Sequence, residues 1–287
     1  MKITLCTIFA LLAFAGNSVL CRLALGENTI DAASFTSIRL LSGIVVLMAL
    51  VSISRKNSES TSKGSWSAAL MLFIYALTFS YAYISLDTAT GALILFGSVQ
   101  IMMIVVSIIT GSKLHNVEWV GLLLAFSGIV YLVTPSLTTP SLTGFILMMI
   151  AGIAWAFYTL SGRGSNNPLS DTAYNFLRTS PLLVILIMFA LQDAHISSEG
   201  VLIAILSGAV CSGLGYSIWY VALPALSVTQ AAVIQLFAPI IAAFGGVIFT
   251  HEEITLHLAF SSCLVLGGVL IVILGKRYFV SSEEKIS

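Results

Sequence analysis

The segment Thr90–Thr110, TGALILFGSVQIMMIVVSIIT, runs for 21 residues without a charged side chain. An α-helix of this length spans the ~30 Å hydrocarbon core of a lipid bilayer. The segment is apolar on all sides, whereas a strand of a membrane barrel alternates between a lipid face and a polar lumen face. Its backbone groups must therefore bond within the segment, which predicts a transmembrane α-helix.

The rest of the chain has the same character. Of its 287 residues, 58% are hydrophobic and 8% are charged, with 12 basic and 12 acidic side chains and a net charge of zero. A soluble domain carries about 25% charged residues. The composition therefore excludes a cytosolic enzyme and a disordered chain, and the lack of net positive charge argues against a nucleic-acid partner. Lipid is the expected surrounding of this chain.

The apolar residues form blocks of about 18 to 24 residues, each long enough to cross a bilayer. We predict an all-α polytopic membrane protein with ten transmembrane helices, called spans 1 to 10 below. The predicted spans are Ile3–Cys21, Ser34–Ile53, Trp66–Ser85, Thr90–Thr110, Val117–Thr134, Thr143–Ser161, Tyr174–Leu191, Val201–Ala222, Thr229–Phe249 and Leu256–Leu274.

Basic residues in the loops orient these spans, because cytoplasmic loops are enriched in Lys and Arg. With both termini in the cytoplasm, nine of the twelve basic residues face the cytoplasm and only Arg22 faces outside. The nine are Lys2, Arg55, Lys56, Lys63, Lys113, Arg163, Lys276, Arg277 and Lys285. We therefore expect a multi-pass protein of the bacterial inner membrane with cytoplasmic N and C termini.

A shift of about 140 residues superposes the two halves of the chain. The matched pairs are Ala82 and Ala222, Leu86 and Leu226, Ala92 and Ala232, Ile94 and Ile234, Ile101 and Ile241, Thr110 and Thr250, Leu124 and Leu264, and Gly128 and Gly268. A shift of 139 aligns Arg39 with Arg178. Five spans per repeat force the second copy to enter from the opposite side, which predicts two inverted-topology repeats, the architecture of many secondary transporters.

The repeat sets the expected domain organisation. It places the first five-helix repeat at 1–134, a connecting loop at 135–141, the second repeat at 142–275 and a cytoplasmic tail at 276–287. The start of the chain, with Lys2 before an apolar run and Ala13–Ala15 after it, also has features of a signal peptide. We expect this segment to be retained, because span 6 needs span 1 as its repeat partner.

The sequence resembles the drug/metabolite transporter superfamily, in its bacterial ten-span form built from two EamA domains. Three features carry the resemblance: Arg39 within SFTSIRLL of span 2, the acidic turn GVIFTHEEIT at 246–255, and glycines of spans 5 and 10 (Gly121, Gly128, Gly267 and Gly268). The first repeat departs from the pattern, because Gly111-Ser112-Lys113 stands where an acidic residue is common. The resemblance implies transport of a small metabolite through a cavity lined by spans of both repeats.

Charged residues at membrane depth are costly and are functional or paired by default. Arg39 and Arg178 lie in spans 2 and 7 and, with Glu252, are candidates for gating or for binding an anionic group. The alternatives stay open: both arginines could contact other helices or reach the headgroups, and Glu252 could be a surface charge. Asp31, Asp87 and Asp171 are possible partners in nearby loops.

Polar and aromatic side chains inside the spans are candidates for the cavity. The amides Asn17, Gln100 and Gln235 either bond between helices or contact a polar solute. Aromatic residues recur at helical spacing on spans 3 and 8, which are repeat partners, and on span 6; such stripes either fill the core or line a binding site. The aromatic candidates are Phe79, Tyr83, Trp155, Tyr158, Tyr216 and Trp219. Pro239 in span 9 removes a backbone hydrogen bond and predicts a kink that can act as a hinge.

These features predict a secondary transporter that moves a small organic metabolite by alternating access. Its resemblance to amino-acid exporters favours an amino acid or a related amphipathic solute, moved outward, with nutrient uptake as the alternative. A scaffold or sensor is the other alternative, but no loop is long enough for an output domain. We expect no enzyme activity, since no catalytic motif occurs, no cofactor or metal, since Cys6, Cys21, Cys211 and Cys263 lack ligand spacing, and a monomer or homodimer in the lipid bilayer.

The charged residues bear on how transport is driven. Proton-coupled carriers usually keep a carboxylate within the membrane. Every acidic residue here lies in a loop or at the edge of a span. This placement favours facilitated diffusion or exchange over a proton relay.

Overall fold

A computed structural model describes residues 2–54, 63–111, 115–134, 140–162, 165–192, 194–222, 226 and 234–283. This part of the chain is helical and contains no β-strand, apart from one isolated bridge between Ile30 and Ile196. The helices are α1 Lys2–Gly26, α2 Ala32–Ser54, α3 Trp66–Tyr83, α4 Thr88–Ile109, α5 Asn116–Val133, α6 Leu142–Ser161, α7 Pro168–Arg178, α8 Ser180–Ala190, α9 Ser198–Leu206, π1 Ser207–Leu214, α10 Gly215–Ala222, α11 Phe237–Phe249 and α12 Leu256–Glu283.

Within these ranges, nine helical segments are long and apolar enough to cross a membrane. Spans 7 and 8 are composite, because α7 with α8, and α9 with π1 and α10, each form one crossing segment. In span 9 the described helix α11 covers Phe237–Phe249, and the predicted start of the span at 229–233 lies outside the described residues. The polytopic all-α fold is as predicted.

Polar side chains set where several helices begin. A side-chain oxygen before the first turn accepts a backbone N–H that has no partner inside the helix. Asp31, Ser65, Ser141, Asn167, Ser197 and Thr255 do this for α2, α3, α6, α7, α9 and α12, at 2.9–3.1 Å. The short loops between spans thus carry the residues that start the next helix.

Span 7 begins earlier than predicted. The sequence analysis started it at Tyr174, but helix α7 begins at Pro168. The hydropathy signal fails there because α7 opens with polar side chains such as Ser170 and Asn175, which are buried against other parts of the chain. The span also has a break at Thr179, two residues before Pro181, as a proline within a helical segment requires.

Span 8 contains a segment that hydropathy does not reveal. Residues Ser207–Leu214 form a π-helix between α9 and α10. Such segments are rare and are frequent at functional sites. A Cβ atom on Gly208 would collide with the Arg39 carbonyl oxygen and the Ser42 hydroxyl of α2. Glycine therefore allows the π-helix to lie directly against α2.

Helix packing brings the two halves of the chain together. Helix α12 packs along α5, where a Cβ on Gly121 would lie 2.6 Å from the Gly268 carbonyl oxygen. Helix α3 packs on α6, α2 on π1, and α1 on α10 and α11. Small residues permit such close approach in membranes, where packing rather than the hydrophobic effect drives association. The buried core lies between these helices and joins both halves.

Two glycines test the close contact between α2 and π1. We expect Gly208→Ala to lower the free energy of unfolding by about 1–3 kcal/mol through overpacking, seen as a lower midpoint of thermal unfolding in detergent. Gly267→Ala on α12 is the matched control, because its added Cβ meets nothing within 4 Å. Equal midpoints for the two variants would contradict the close contact.

Candidate functional site

Arg39 is the centre of the candidate site. It lies two turns into α2 and is 1% exposed, with the largest side chain among the fully buried residues of the described structure. Its guanidinium lies 4.9 Å from the centre of the Phe79 ring and 5.3 Å from that of Tyr75. Both distances are within the range of cation–π attraction. The charge is therefore held between aromatic faces in the interior of the bundle.

The hydrogen bonds of Arg39 leave one of its nitrogens unused. Nη2 donates to the Tyr75 hydroxyl at 3.1 Å, and Nε points to the Ser212 hydroxyl at 3.5 Å. Nη1 is buried and has no hydrogen-bond partner. Within the described chain, the ion pairs belong to Arg22, and no carboxylate pairs with Arg39. The guanidinium thus presents a buried donor and an uncompensated positive charge.

A polar network extends from Arg39 to three other elements. The Tyr75 hydroxyl also accepts from the Asn17 amide nitrogen at 3.4 Å, and the Asn17 amide oxygen accepts from the Ser207 hydroxyl. Ser207 and Ser212 are five residues apart on π1, where backbone bonds join residues at this spacing. The network therefore connects α1, α2, α3 and π1, and the π-helix turns two serines toward it.

Aromatic rings continue from this network into both halves of the chain. Trp155 of α6 lies 4.7 Å from Tyr75 and 5.1 Å from Tyr216, measured between ring centres, and 5.4 Å from Tyr158. Phe14 then contacts Tyr216 at 5.8 Å and Trp219 at 5.7 Å. The aromatic stripes of spans 3 and 8 thus meet through Trp155, and we call this group with the polar network the central cluster.

Two rings of the central cluster keep some exposed surface. Trp155 and Phe14 are half-buried, although each contacts several other rings. Tyr75 and Tyr216 beside them are buried. An indole that packs on Tyr75, the hydrogen-bond partner of Arg39, can contact a solute that has both an apolar body and a polar group.

A second charged group lies at the end of the bundle where α1 finishes, called the outer end after the charge-based prediction. Arg22 contacts Asp87 at 3.2 Å and Glu252 at 3.3 Å. Glu252, whose side chain is 11% exposed, also accepts from the backbone N–H and hydroxyl of Thr88 at 2.8–3.0 Å. This outer latch (Arg22, Asp87, Thr88 and Glu252) ties α1 and α4 to the loop between α11 and α12.

The remaining predicted residues have no described contact with Arg39, although the Tyr83 ring lies 4.8 Å from that of Phe79. Gln100 is buried in α4 and Gln235 is half-buried, and no described contact joins either one to the central cluster. Tyr83 packs over Gly91 and donates to the Thr88 carbonyl at 3.4 Å. Pro239 lies in the first turn of α11, just after a helical break at Leu236. A proline at this place cannot donate to Gln235, which explains the break.

Arg178 differs from its predicted repeat partner. It is half-buried at the opposite, inner end of the bundle, donates to the Lys63 carbonyl and lies 5.6 Å from the Trp66 ring. Nearby, Asp171 accepts from the Gly64 N–H at 2.7 Å. The structure thus gives Arg178 a role in holding the loop before α3, whereas Arg39 faces the interior.

Three alternatives from the sequence do not agree with the contacts in the structure. Arg39 does not reach the headgroups, because its side chain is buried among aromatic residues. Its suggested acidic partners are engaged elsewhere: Asp31 accepts from the backbone N–H of Ser34 and of His195, and Asp87 pairs with Arg22. Glu252 is likewise no surface charge, since it is largely buried in the outer latch.

Several members of the central cluster were not predicted from the sequence. Nothing in the sequence marks Ser207 and Ser212 as members of the site, since a serine in an apolar span usually bonds to its own helix. The Tyr75 hydroxyl joins Arg39 to Asn17, but Tyr75 stood out only as part of an aromatic stripe. Each of these contacts joins residues at least 36 positions apart, and local periodicity does not report on such distances.

Comparisons with known proteins agree with this architecture. Residues 142–274 match the EamA-like transporter family. The chain is 42% identical over 269 residues to an uncharacterised protein of Pseudomonas aeruginosa, covering 94% of this chain and 93% of that one. It is 24% identical over 275 residues to an uncharacterised transporter of Archaeoglobus fulgidus, covering 90% of this chain and 93% of that one.

Two further similarities bear on function and fold. The threonine/homoserine exporter RhtA of Escherichia coli is 29% identical over 185 residues, which cover 61% of this chain and 59% of RhtA. A protein of known crystal structure superposes with a TM-score of 0.63 at 16% identity, covering 93% of this chain and 97% of that one. At this identity the superposition shows a shared fold alone.

The Tyr75 hydroxyl offers a test of the central cluster. We expect Tyr75→Phe to lower the free energy of unfolding by about 1–3 kcal/mol, because it removes the acceptor of two buried donors, on Arg39 and Asn17. Tyr131→Phe is the matched control, because Tyr131 of α5 is 38% exposed. Thermal unfolding of both variants in detergent measures the difference, and an unchanged midpoint for Tyr75→Phe would rule out the network.

Proposed function

Because the chain belongs to the EamA-like transporters of the drug/metabolite transporter superfamily, we propose that it moves a small organic metabolite across the bacterial inner membrane by alternating access. One observation supports this most directly: the central cluster is assembled from spans 1, 2, 3, 6 and 8, that is, from both halves of the chain. In transporters with inverted repeats the substrate site lies between the repeats, near the membrane midplane.

The pattern of helix contacts supports the proposed inverted repeats. A two-fold axis that exchanges spans 1–5 with spans 6–10 pairs spans 2 with 7, 4 with 9, and 5 with 10, and all three pairs are in contact. The same axis converts the contact of spans 3 and 6 into that of spans 8 and 1, and the contact of spans 4 and 6 into that of spans 9 and 1. Both related contacts are present.

The outer latch fits a gate in this mechanism. It joins the turn after α11, in the second half of the chain, to α1 and α4 of the first half. Rocking of one half against the other has to separate these groups. We infer that the structure represents a state closed at the outer end, and that opening toward the outside breaks the pairs of Arg22 with Glu252 and of Thr88 with Glu252.

We propose an amino acid or a related amphipathic solute as the substrate and export as the direction. The similarity to an exporter of threonine and homoserine supports both. The lining supports the substrate class, because rings such as Trp155 suit an apolar body while Arg39 and Asn17 offer polar contacts. Charged groups deep in the bundle are otherwise scarce, which favours a solute with small net charge.

Flux through proteoliposomes tests the transport proposal. We expect efflux of at least one member of an amino-acid panel that includes threonine and homoserine, and we expect Trp155→Ala to reduce it about tenfold or more, since Trp155 joins the rings of both halves. An aromatic contact contributes about 0.5–1.5 kcal/mol beyond the burial of its surface, and tenfold corresponds to about 1.4 kcal/mol.

Trp119→Ala is the control for this experiment, because Trp119 is 46% exposed at the start of α5. It should express and transport as the wild type does. Unchanged flux in Trp155→Ala would return that residue to a packing role. If a correctly folded wild-type protein moved no solute in either direction, the scaffold interpretation would replace the transporter.

Energy coupling gives a separate prediction. The described carboxylates lie at the ends of the bundle, and Glu252 is engaged by Arg22 and Thr88, so no acid stands ready to carry protons at membrane depth. We expect flux without a change in the pH of the liposome interior. We expect Glu252→Gln to alter the rate of flux, because it weakens the outer latch. A substrate-evoked pH change in the liposome interior that Glu252→Gln abolishes would contradict this prediction.

A further inference from the structure

We propose that the unpaired guanidinium nitrogen of Arg39 is the binding site for the carboxylate group of an organic substrate, and that this carboxylate is the group the transporter requires for recognition. The inference rests on the proposed transport function and names its substrate chemistry. It makes the carboxylate obligatory and a substrate amine dispensable.

The charge of Arg39 has no acidic partner among the described residues. An arginine in a transmembrane helix is expected to pair with an acid, to bond to several acceptors or to face water. In the described structure Arg39 is buried, meets two hydroxyl groups and has no acid beside it. Hydroxyl groups accept hydrogen bonds but do not neutralise charge. Because no described residue neutralises this charge, we assign the compensating anion to the substrate.

One nitrogen of the Arg39 guanidinium, Nη1, is left without a described partner, while the other two have contacts. Nη2 donates to Tyr75 at 3.1 Å and Nε points to Ser212 at 3.5 Å, so these contacts orient the guanidinium before any ligand binds. Nη1 keeps donors that bond to nothing in the described part of the chain. A guanidinium fork held in this way matches the geometry of a carboxylate. Such preorganisation favours a ligand, whereas a purely structural arginine would use all its donors within the protein.

The single positive charge of Arg39 selects the charge of the ligand. The other arginines of the described spans, Arg22 and Arg178, are engaged at opposite ends of the bundle. One guanidinium therefore faces the ligand, which suits a monoanion and leaves a phosphate dianion with an excess negative charge. The rings of Tyr75 and Trp155 beside it favour an organic body over an inorganic ion.

The amine of an amino acid is not required for recognition at this site. No carboxylate lies in the central cluster among the described residues, so an ammonium group would meet ring faces and the Asn17 amide rather than an acid. Cation–π contacts tolerate such a group without demanding it. Recognition therefore depends on the carboxylate, and removal of the amine should be far less harmful than removal of the carboxylate.

The test uses matched ligand triads on the purified protein in lipid nanodiscs, with thermal unfolding as the readout. One triad is phenylalanine, phenylalaninol and 3-phenylpropanoate; the other is threonine, threoninol and 3-hydroxybutyrate. Each triad compares the zwitterion with molecules that lack the carboxylate or the amine. Chloride, exchanged against sulfate, is a separate arm. We expect stabilisation by an amino acid and by its des-amino acid, and none by the amino alcohol.

Two variants connect this binding to Arg39. Arg39→Gln should weaken carboxylate binding about 30-fold or more, the loss expected when one partner of a buried charge pair is removed, while Arg39→Lys retains part of it. Without ligand, Arg39→Gln should unfold at the same temperature as the wild type or higher, because it removes an uncompensated buried charge. Lys63→Gln, a change at an exposed residue of the loop before α3, is the control.

Several outcomes would overturn the proposal. One is that the amino alcohol stabilises the protein as much as the amino acid does, and another is that chloride stabilises it as much as any carboxylate ligand does. A third is that no carboxylate ligand stabilises a folded wild-type protein. The fourth is that Arg39→Gln, without ligand, unfolds at a temperature well below that of the wild type. The last result would make Arg39 structural. Flux distinguishes the two proposals: amino alcohols that cross as fast as amino acids leave the transport function standing and disprove the carboxylate site.

Discussion

The buried guanidinium of Arg39 is the constraint around which the interior is organised. An arginine within a membrane helix is costly, about 2.5–3.5 kcal/mol at the helix centre on insertion scales, so the helices around Arg39 must offset part of such a cost. They do so with the faces of Tyr75 and Phe79 and with the hydroxyl groups of Tyr75 and Ser212. These contacts leave the charge itself uncompensated. A protein selected for stability alone would have replaced it with an apolar side chain.

The π-helix in span 8 places Ser212 beside Arg39 and Ser207 beside Asn17. A regular α-helix places side chains on one face three or four residues apart, while the π-helical turn brings Ser207 and Ser212 to the same side. Gly208 lies between them and gives the backbone of α2 room to approach. Irregular backbone in a membrane is tolerated where it is buried in protein. The irregular segment, the glycine and the buried charge therefore depend on one another.

Hydropathy predicted the fold because membrane helices are set by length and apolarity, which are local properties. It failed at α7, where Ser170 and Asn175 are polar yet buried. The central cluster was predicted in part. Arg39, Asn17, Trp155 and Tyr216 stood out because polar and aromatic groups in a span need an explanation. Their pairing could not be predicted, since the hydrogen bonds from Arg39 to Tyr75 and Ser212 span 36 and 173 positions, and the π-helix has no known pattern in the sequence.

The two ends of the bundle are chemically unlike, and this bears on how the proposed carrier works. Under the repeat shift of 140, Glu252 and Asp87 correspond to Ser112 and Ser227, so the carboxylates of the outer latch have no acidic counterparts at the inner end. Inverted repeats of similar backbone make two access states possible, but only differences between the repeats can make one state more stable. The outer end is closed by ion pairs, whereas at the inner end Arg178 and Asp171 hold the loop before α3 through its backbone. The two ends therefore differ in the interactions that must break for each to open, and under the proposed mechanism a carboxylate that neutralises Arg39 removes the charge penalty of the interior before the outer latch has to break.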